Sequence, residues 1–254
     1  MTTKLRIDKL EKKFGDLVAL ENFNLDVGDN EFLSIVGASG CGKSTLLAIL
    51  AGLEDATAGS VILDGREING PGRDRGVVFQ NYSLLPWLTC RQNIEFALRD
   101  GTMSAKERSQ RARDQLALVG LRDFEDALPA ALSGGMKQRV AIARALAYRP
   151  SVLLMDEPFG ALDALTRRIM QELLTQVWEQ HKMTVVFITH DVQEAVFISD
   201  RVIVMSNRPG TVKAEYRIDL PRPREHALVA SPEFTALEGQ VLDAIYHEAV
   251  AAAR

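Results

Sequence analysis

The stretch GASGCGKST, Gly37 to Thr45, constrains this chain more than any other, because it meets the phosphate-loop pattern G-x-x-x-x-G-K-[ST] at every required position. Glycines at 37, 40 and 42 open backbone conformations closed to other residues, so successive N–H groups can converge on phosphate oxygens. The whole loop is therefore a candidate contact surface: Gly37, Ala38, Ser39, Gly40, Cys41, Gly42, Lys43, Ser44 and Thr45. Lys43 is placed to reach the β- and γ-phosphates and the Ser44 hydroxyl to ligate Mg²⁺, which points to ATP or a similar nucleotide. The flanks agree. Phe32, Leu33, Ile35 and Val36 predict a buried strand, and Ser44 to Ala51 a helix with its positive end toward the phosphates. A glycine-rich turn matching by accident would not carry a strand before it and a helix after it. Cys41 reads as a small residue that fits the loop, although a thiol beside a helix N-terminus can be activated.

Kinases, GTPases, helicases and transport ATPases share such a loop, so the remaining sequence has to choose among them. At 254 residues and 46% hydrophobic content the chain can fill a substantial core. Its net charge of -4, with both signs interspersed, supplies no basic field for nucleic acid, and protein partners are expected instead. Cys41 and Cys90 lie outside any C-x-x-C pattern and the histidines are scattered, so neither a disulfide framework nor a zinc site is expected, and a reducing cytoplasm fits. The opening MTTKLRIDKLEKKF has no apolar signal core, and no segment approaches the roughly 18 uninterrupted apolar residues of a membrane helix. Membrane association would have to go through a partner.

Along the chain, β-like runs come first, at Leu5 to Leu10, Phe23 to Val27, Phe32 to Val36, Ser60 to Asp64 and Gly76 to Gln80. From Ser83 to about Tyr148 the pattern is helical, with candidates at Thr89 to Arg99, Ala105 to Leu118 and Gly134 to Ala147. A β/α alternation then resumes: strand Val152 to Asp156, helix Asp163 to Gln180, strand Thr184 to Thr189, helix Val192 to Ile198 and strand Arg201 to Ser206. An edge strand, Thr211 to Leu220, and a helix from Pro232 to Ala253 follow. Parallel strands with crossover helices predict an α/β sheet covered on both faces, interrupted by a helical insertion. The expected division is a nucleotide-binding core from 1–82 and 149–254, with an inserted helical subdomain over 83–148.

SVLLMDEP, Ser151 to Pro158, is a buried β-run ending in adjacent carboxylates. Because strand side chains alternate, Asp156 and Glu157 are expected to do different work: Asp156 holding the Mg²⁺ shell, Glu157 polarising a water. Alone, the run reads equally well as a strand ending in an ordinary acidic turn. In LSGGM, Leu132 to Met136, the residues Ser133, Gly134 and Gly135 open a helix and make a second anion-binding cap without a lysine. By itself that is a plain serine cap. Two phosphate caps on one chain make sense if each chain lends one to the nucleotide held by another.

GASGCGKST, Gln80, LSGGM, LLMDEP, GALD (Gly160 to Asp163) and ITHD (Ile188 to Asp191), in this order, resemble the ATP-binding subunit of ABC transporters over nearly the whole chain. The resemblance implies a P-loop NTPase core with an antiparallel β subdomain and an inserted helical subdomain, ATP hydrolysis with Mg²⁺, and a head-to-tail homodimer. It makes Phe14 the aromatic that stacks on adenine, a place where Tyr is commoner but where only the π-face is needed. It makes Gln80 the residue that senses Mg²⁺ and the attacking water, Asp163 the acidic contact to the opposite subunit, and His190 the switch histidine that orients the base. Met136 departs from the commonest motif, which has Gln there; this puts a partner contact in doubt more than catalysis.

A free-standing ATPase domain is similar to bacterial importer subunits, whose permease is a separate chain. The resemblance thus implies a peripheral place on the cytoplasmic face of the inner membrane, permease partners, and indirectly an extracytoplasmic solute-binding protein. Leu84, Leu85, Pro86, Trp87 and Leu88 either pack within the helical subdomain or line the groove for a permease helix. GPGRDRGVVFQ, LLPW, DEPFGALDALTR, NRPGTV and LPRPRE look like the nitrate, sulfonate and taurine group, and the short tail after Ser206 predicts no added regulatory domain. The alternatives are an importer for another small solute, or a soluble ABC ATPase of DNA repair or cofactor assembly. The DNA-repair type splits its head around long coiled coils, which do not appear here.

Overall fold

Two long strands, β1 (Thr3–Phe14) and β2 (Leu17–Gly28), form an antiparallel hairpin turned by Gly15 and Asp16. The computed structural model describes residues 2–99 and 101–252. After the hairpin come β3 (Phe32–Val36), α1 (Lys43–Leu50), β4 (Ala58–Leu63), the two-residue β5 (Arg66–Glu67) and β6 (Arg75–Val78). Three helices follow, α2 (Cys90–Ala97), α3 (Ala105–Leu118) and α4 (Gly134–Leu146). The chain then runs through β7 (Val152–Asp156), α5 (Ala164–His181), β8 (Thr184–Ile188), α6 (Val192–Ile198), β9 (Arg201–Met205), β10 (Val212–Arg217) and α7 (Pro232–Ala252). The expected last residue of that helix, Ala253, lies outside the described residues.

The hairpin is longer than the apolar runs suggested, and the reason is a change of phase. Leu5 and Ile7 point inward, Asp8 and Lys9 break the alternation, and Leu10 and Lys12 resume it on the same face. Lys12 sits at an inward position with its ammonium drawn to Glu54 Oε1 at 2.6 Å and to the Asp55 carbonyl at 2.7 Å. A buried lysine at the strand's inward face looks polar in a sequence and hides the strand that contains it.

Two sheets result. One has the order β2-β1-β4-β5 and is antiparallel. The other has the order β10-β9-β3-β8-β7-β6, parallel except for β10 at its edge. Alternate residues of the parallel strands feed two separate cores. Leu33, Ile35, Leu154, Val186, Ile188 and Ile203 meet α1 and the antiparallel sheet. Phe32, Val36, Leu153, Met155, Phe187 and Val204 meet α4, α5, α6 and α7. The loops at the carboxyl ends of β3, β7 and β8 therefore leave a rigid, fully covered scaffold.

The helices α2, α3 and α4 enclose a third cluster around Ile94, Leu98, Leu116, Val119 and Val140. Helix α4 belongs to two cores, since Ala141, Ile142, Ala145 and Leu146 face the sheet. Thr89 with Gln92, and Ser104 with Glu107, form reciprocal capping boxes that fix where α2 and α3 begin. No helix among the described residues is long and apolar enough to cross a membrane.

Candidate nucleotide site

The loop from Gly37 to Gly42 joins the end of β3 to α1. Gly40 and Gly42 have φ of +79° and +107°, whereas Gly37 needs no positive φ. At Gly37 the constraint is space, because a Cβ there would stand 3.1 Å from both the Cys41 Sγ and the Met205 carbonyl oxygen. Gly42 also lacks a side-chain cap, so the first N–H groups of α1 stay open to a ligand. The Lys43 ammonium is buried and donates to the carbonyls of Gly37 and Ala38 at 2.8 and 2.9 Å.

A cleft of about 340 Å³ opens over this loop, lined by Phe14, Leu17, Ala19, Ser39, Gly40, Gly42, Lys43, Ser44, Thr45, Glu157 and Arg208. Phe14 is 46% exposed, and the Lys12 ammonium lies 4.8 Å from its ring centroid. A larger cleft of about 500 Å³ lies by Arg201 and Arg222. Those guanidiniums are already held by Glu31 and Asp200, so it offers an incoming anion little.

Ser44 Oγ stands 3.4 Å from Asp156 Oδ1. Burial pushes the Asp156 carboxyl above its usual range, and the nearby Glu157 charge adds to this, while Ser44 and Lys43 pull the other way. A cation there would relieve that cost. The donor set is a hydroxyl and a carboxylate oxygen, which suits Mg²⁺, an ion that keeps much of its shell as water and phosphate. Among the described residues no cluster of three or more His, Cys, Asp or Glu could hold a metal alone.

Asp156 and Glu157 do point to different neighbours, but the strand pleat is not the cause. Strand β7 stops at Asp156, and Glu157 takes φ +41°, a left-handed conformation costly for a side-chain-bearing residue. That twist brings Glu157 Oε2 to 3.1 Å from His190 Nδ1 and 3.5 Å from Gln80 Nε2. The structure thus gathers Gln80, Glu157 and His190 at one carboxylate oxygen.

The second cap is elsewhere. Ser133 is the N-cap of α4, accepting from the Met136 N–H at 3.3 Å, and neither it nor Gly134 or Gly135 lines the cleft over Lys43. Ser133 and Gly134 are exposed, whereas Gly135 is buried where a Cβ would meet Thr166 Cγ2 at 2.5 Å. Asp163 caps α5 by accepting from the Thr166 N–H at 3.0 Å, and this bond draws its carboxyl below the usual range. It too is exposed and outside the cleft.

Other residues that shape the site are not candidates from the sequence. Arg208 lines the cleft and reaches the loop at Gly40, whereas in the sequence its NRPGTV run carries only a likeness to one importer group. Glu194 is buried on α6, accepting from Gln171 Nε2 at 3.1 Å, and burial pushes it up to about 7. Beside it, Asp191 caps α6 and accepts from Arg167 Nη1 at 3.2 Å, while Arg167 Nη2 donates to the Leu162 carbonyl, tying the strand end to the GALD loop. Asn93 is buried and bonds the backbone of Leu85, Leu88 and Thr89, pinning the apolar segment that leads into α2. Within that segment Leu84 packs into two cores, whereas Trp87 is 71% exposed.

Known proteins are similar to this chain. The family profile described as ABC transporter matches residues 20–160. An uncharacterized ABC transporter ATP-binding protein of Methanocaldococcus jannaschii is 50% identical over 252 residues, covering 98% of this chain and 93% of that protein. The nitrate import ATP-binding protein NrtD of Synechocystis is 52% identical over 228 residues, 87% of this chain and 86% of its own. The bicarbonate transport ATP-binding protein CmpC of Synechocystis is 48% identical over 252 residues, 95% of this chain and 38% of that longer protein. Among solved structures, the dimeric bacterial ABC transporter cassette MJ0796 aligns with a TM-score of 0.75 at 38% identity, covering 85% of this chain and 100% of that one. The same cassette in a dimeric post-hydrolysis state with ADP and Pi gives 0.74 at 37%, again over 85% and 100%.

Proposed function

The chain belongs to the ABC transporter family as an ATP-binding subunit, and from that premise we propose that it powers import of a small solute through a separate permease. The observation that carries the reading is a division within the chain: the Lys43 cleft and the Ser133 cap are both built, but not onto one another. A second copy placed head to tail would close each cleft with the other's cap. The dimeric MJ0796 cassette supports that assembly.

In such a dimer the N–H groups of the 37–45 loop and Lys43 bind the triphosphate, and Phe14 stacks on the base. Ser44 and Asp156 would hold Mg²⁺, which neutralises phosphate charge when bound. Glu157 accepts a proton from the attacking water, His190 and Gln80 hold its carboxylate in place, and Asp163 contacts the opposite copy. Residues 83–148 act as the inserted helical unit that presents Ser133, Gly134 and Gly135. Trp87 faces the permease, and the chain sits peripherally on the cytoplasmic side of the inner membrane, with an extracytoplasmic solute-binding protein delivering the solute.

The likeness to NrtD supports a solute of the nitrate, sulfonate or taurine type. Two measurements test the reading. Purified protein should hydrolyse ATP with Mg²⁺ and lose this with Lys43→Ala. A strain lacking the chain should lose uptake of one of these solutes and regain it from the intact gene. Unchanged ATPase in the variant would overturn the enzymatic part, and unchanged uptake of all three solute types would overturn the solute.

A further inference from the structure

An exposed arginine normally samples many rotamers, yet Arg208 is fixed on the phosphate loop. Its Nε and Nη2 both donate to the Gly40 carbonyl, at 3.1 and 2.8 Å. The N–H across that same peptide, at Cys41, donates to the Ala38 carbonyl at 3.3 Å, so the 40–41 peptide plane is held at both ends. With Lys43 on the Gly37 and Ala38 carbonyls, three loop oxygens that would repel an anion are taken by cations. Among the described residues no carboxylate pairs with Arg208, and its guanidinium lines the cleft beside Gly40 and Ser39.

The segment carrying Arg208 is itself anchored. Gly210 N–H donates to the Ala19 carbonyl at 2.9 Å, and its own carbonyl accepts from Glu21 at 3.2 Å, locking the turn to β2 beneath the cleft. On the other side, Asn207 N–H donates to Glu248 Oε2 on α7 at 3.2 Å, and Asn207 Nδ2 donates to the Glu248 carbonyl. Lys213 Nζ holds the second oxygen of that carboxylate at 2.9 Å.

We propose that Arg208 is a nucleotide-positioning residue that clamps the phosphate loop in its anion-binding shape, and that α7 sets the strength of this clamp through Glu248 and Asn207. The inference rests on the ATP-binding reading above. It makes the C-terminal helix a place where a displacement would lower nucleotide affinity without touching the cleft. The two-pronged, charged geometry matters here, since a lysine carries the charge but not the fork.

The test measures binding of ATP to the purified full chain by titration calorimetry, with stoichiometry reporting the folded fraction, alongside KM and kcat. Arg208→Ala is expected to weaken ATP about tenfold, mainly in KM rather than kcat. Arg208→Lys should recover less than half of that loss, and Glu248→Ala should weaken ATP about threefold. The double variant Arg208→Ala/Glu248→Ala should be no weaker than Arg208→Ala alone, as expected of groups acting in series. Full rescue by lysine would overturn the clamp, and additive losses would overturn the link to α7. If the unsubstituted chain bound no ATP, the underlying reading would fall. If it bound ATP and Arg208→Ala bound equally well, this inference alone would fall.

Discussion

His190 Nδ1 lies 3.1 Å from Glu157 Oε2, although the two residues follow different strands. The meeting is set by register. In the parallel pair β7–β8, Asp156 stands beside Ile188, so the strand ends are level, and the Glu157 N–H donates to the Ile188 carbonyl at 2.9 Å. The left-handed turn at Glu157 then sends its side chain across the gap toward His190. The Glu157 carboxylate and the His190 imidazole are thus brought together by backbone geometry.

Glu157→Gln keeps the size and the polar contact to His190 but removes the proton acceptor. Hydrolysis should fall by at least about a hundredfold while ATP binding persists. The variant should then elute as a dimer with ATP and as a monomer without it. A turnover rate equal to that of the unsubstituted protein, or a monomer in saturating ATP, would remove Glu157 from this role.

The motifs were legible in the sequence because each packs its chemistry into a short run of the chain. The strand before Gly37, the helix after it and the capped starts of α2 to α6 were equally clear, since each carries its own periodicity or cap. What stayed hidden depends on distant neighbours. Lys12 ends an apolar pattern on paper but pairs with Glu54 across the fold, and Arg208 is an ordinary turn residue until Gly40 is brought beside it. Asp156 and Glu157 separate as strand alternation predicts, but the cause is the left-handed φ at Glu157, a conformation for which no propensity marks a glutamate. Leu84 and Trp87 look alike in an apolar run, and only packing divides them into core and surface.

Burial also gives a pH dependence to the fold. Glu194 is pushed up to about 7 from an ordinary 4.5, chiefly by burial, with Asp191 adding to the shift and Thr189, Gln171 and Arg167 opposing it. Between those values the unfolded chain has lost the proton and the folded chain retains it, so this group lowers stability as pH rises through the window. Glu194→Gln cannot ionise, and its amide oxygen can still accept from Gln171. Relative to the unsubstituted protein, the variant should gain stability from pH 5 to pH 8, by on the order of 3 kcal/mol at most. Urea unfolding at both pH values measures the difference. A difference that does not change with pH would show that Glu194 is not protonated in the folded state near neutrality.

Trp87 offers a cleaner probe of the permease contact than its neighbours, because Leu84 is part of two cores and Leu85 is half-buried. A charge at Leu85 would threaten the fold itself. Trp87→Glu should leave the ATPase of the isolated chain within about twofold and abolish co-purification with the permease and uptake, since an exposed aromatic is a common anchor of such contacts. Normal uptake with the permease still bound would place the contact elsewhere.

The separation between Lys43 and Ser133 leads to the most demanding test. If each nucleotide is held by Lys43 of one copy and Ser133 of the other, a dimer of Lys43→Ala is defective at both sites, and so is a dimer of Ser133→Arg. A mixed dimer concentrates both defects in one site and leaves the other intact. Mixing the two inactive proteins should therefore restore ATP-dependent association. At equal amounts about half of the dimers are mixed by random pairing, each with one intact site, so ATPase should return to at most about a quarter of the unsubstituted rate if the sites work independently. If the sites must fire together, association returns without turnover. Should neither reappear, each chain builds its site alone and the outward-facing cap on α4 has no part in nucleotide binding.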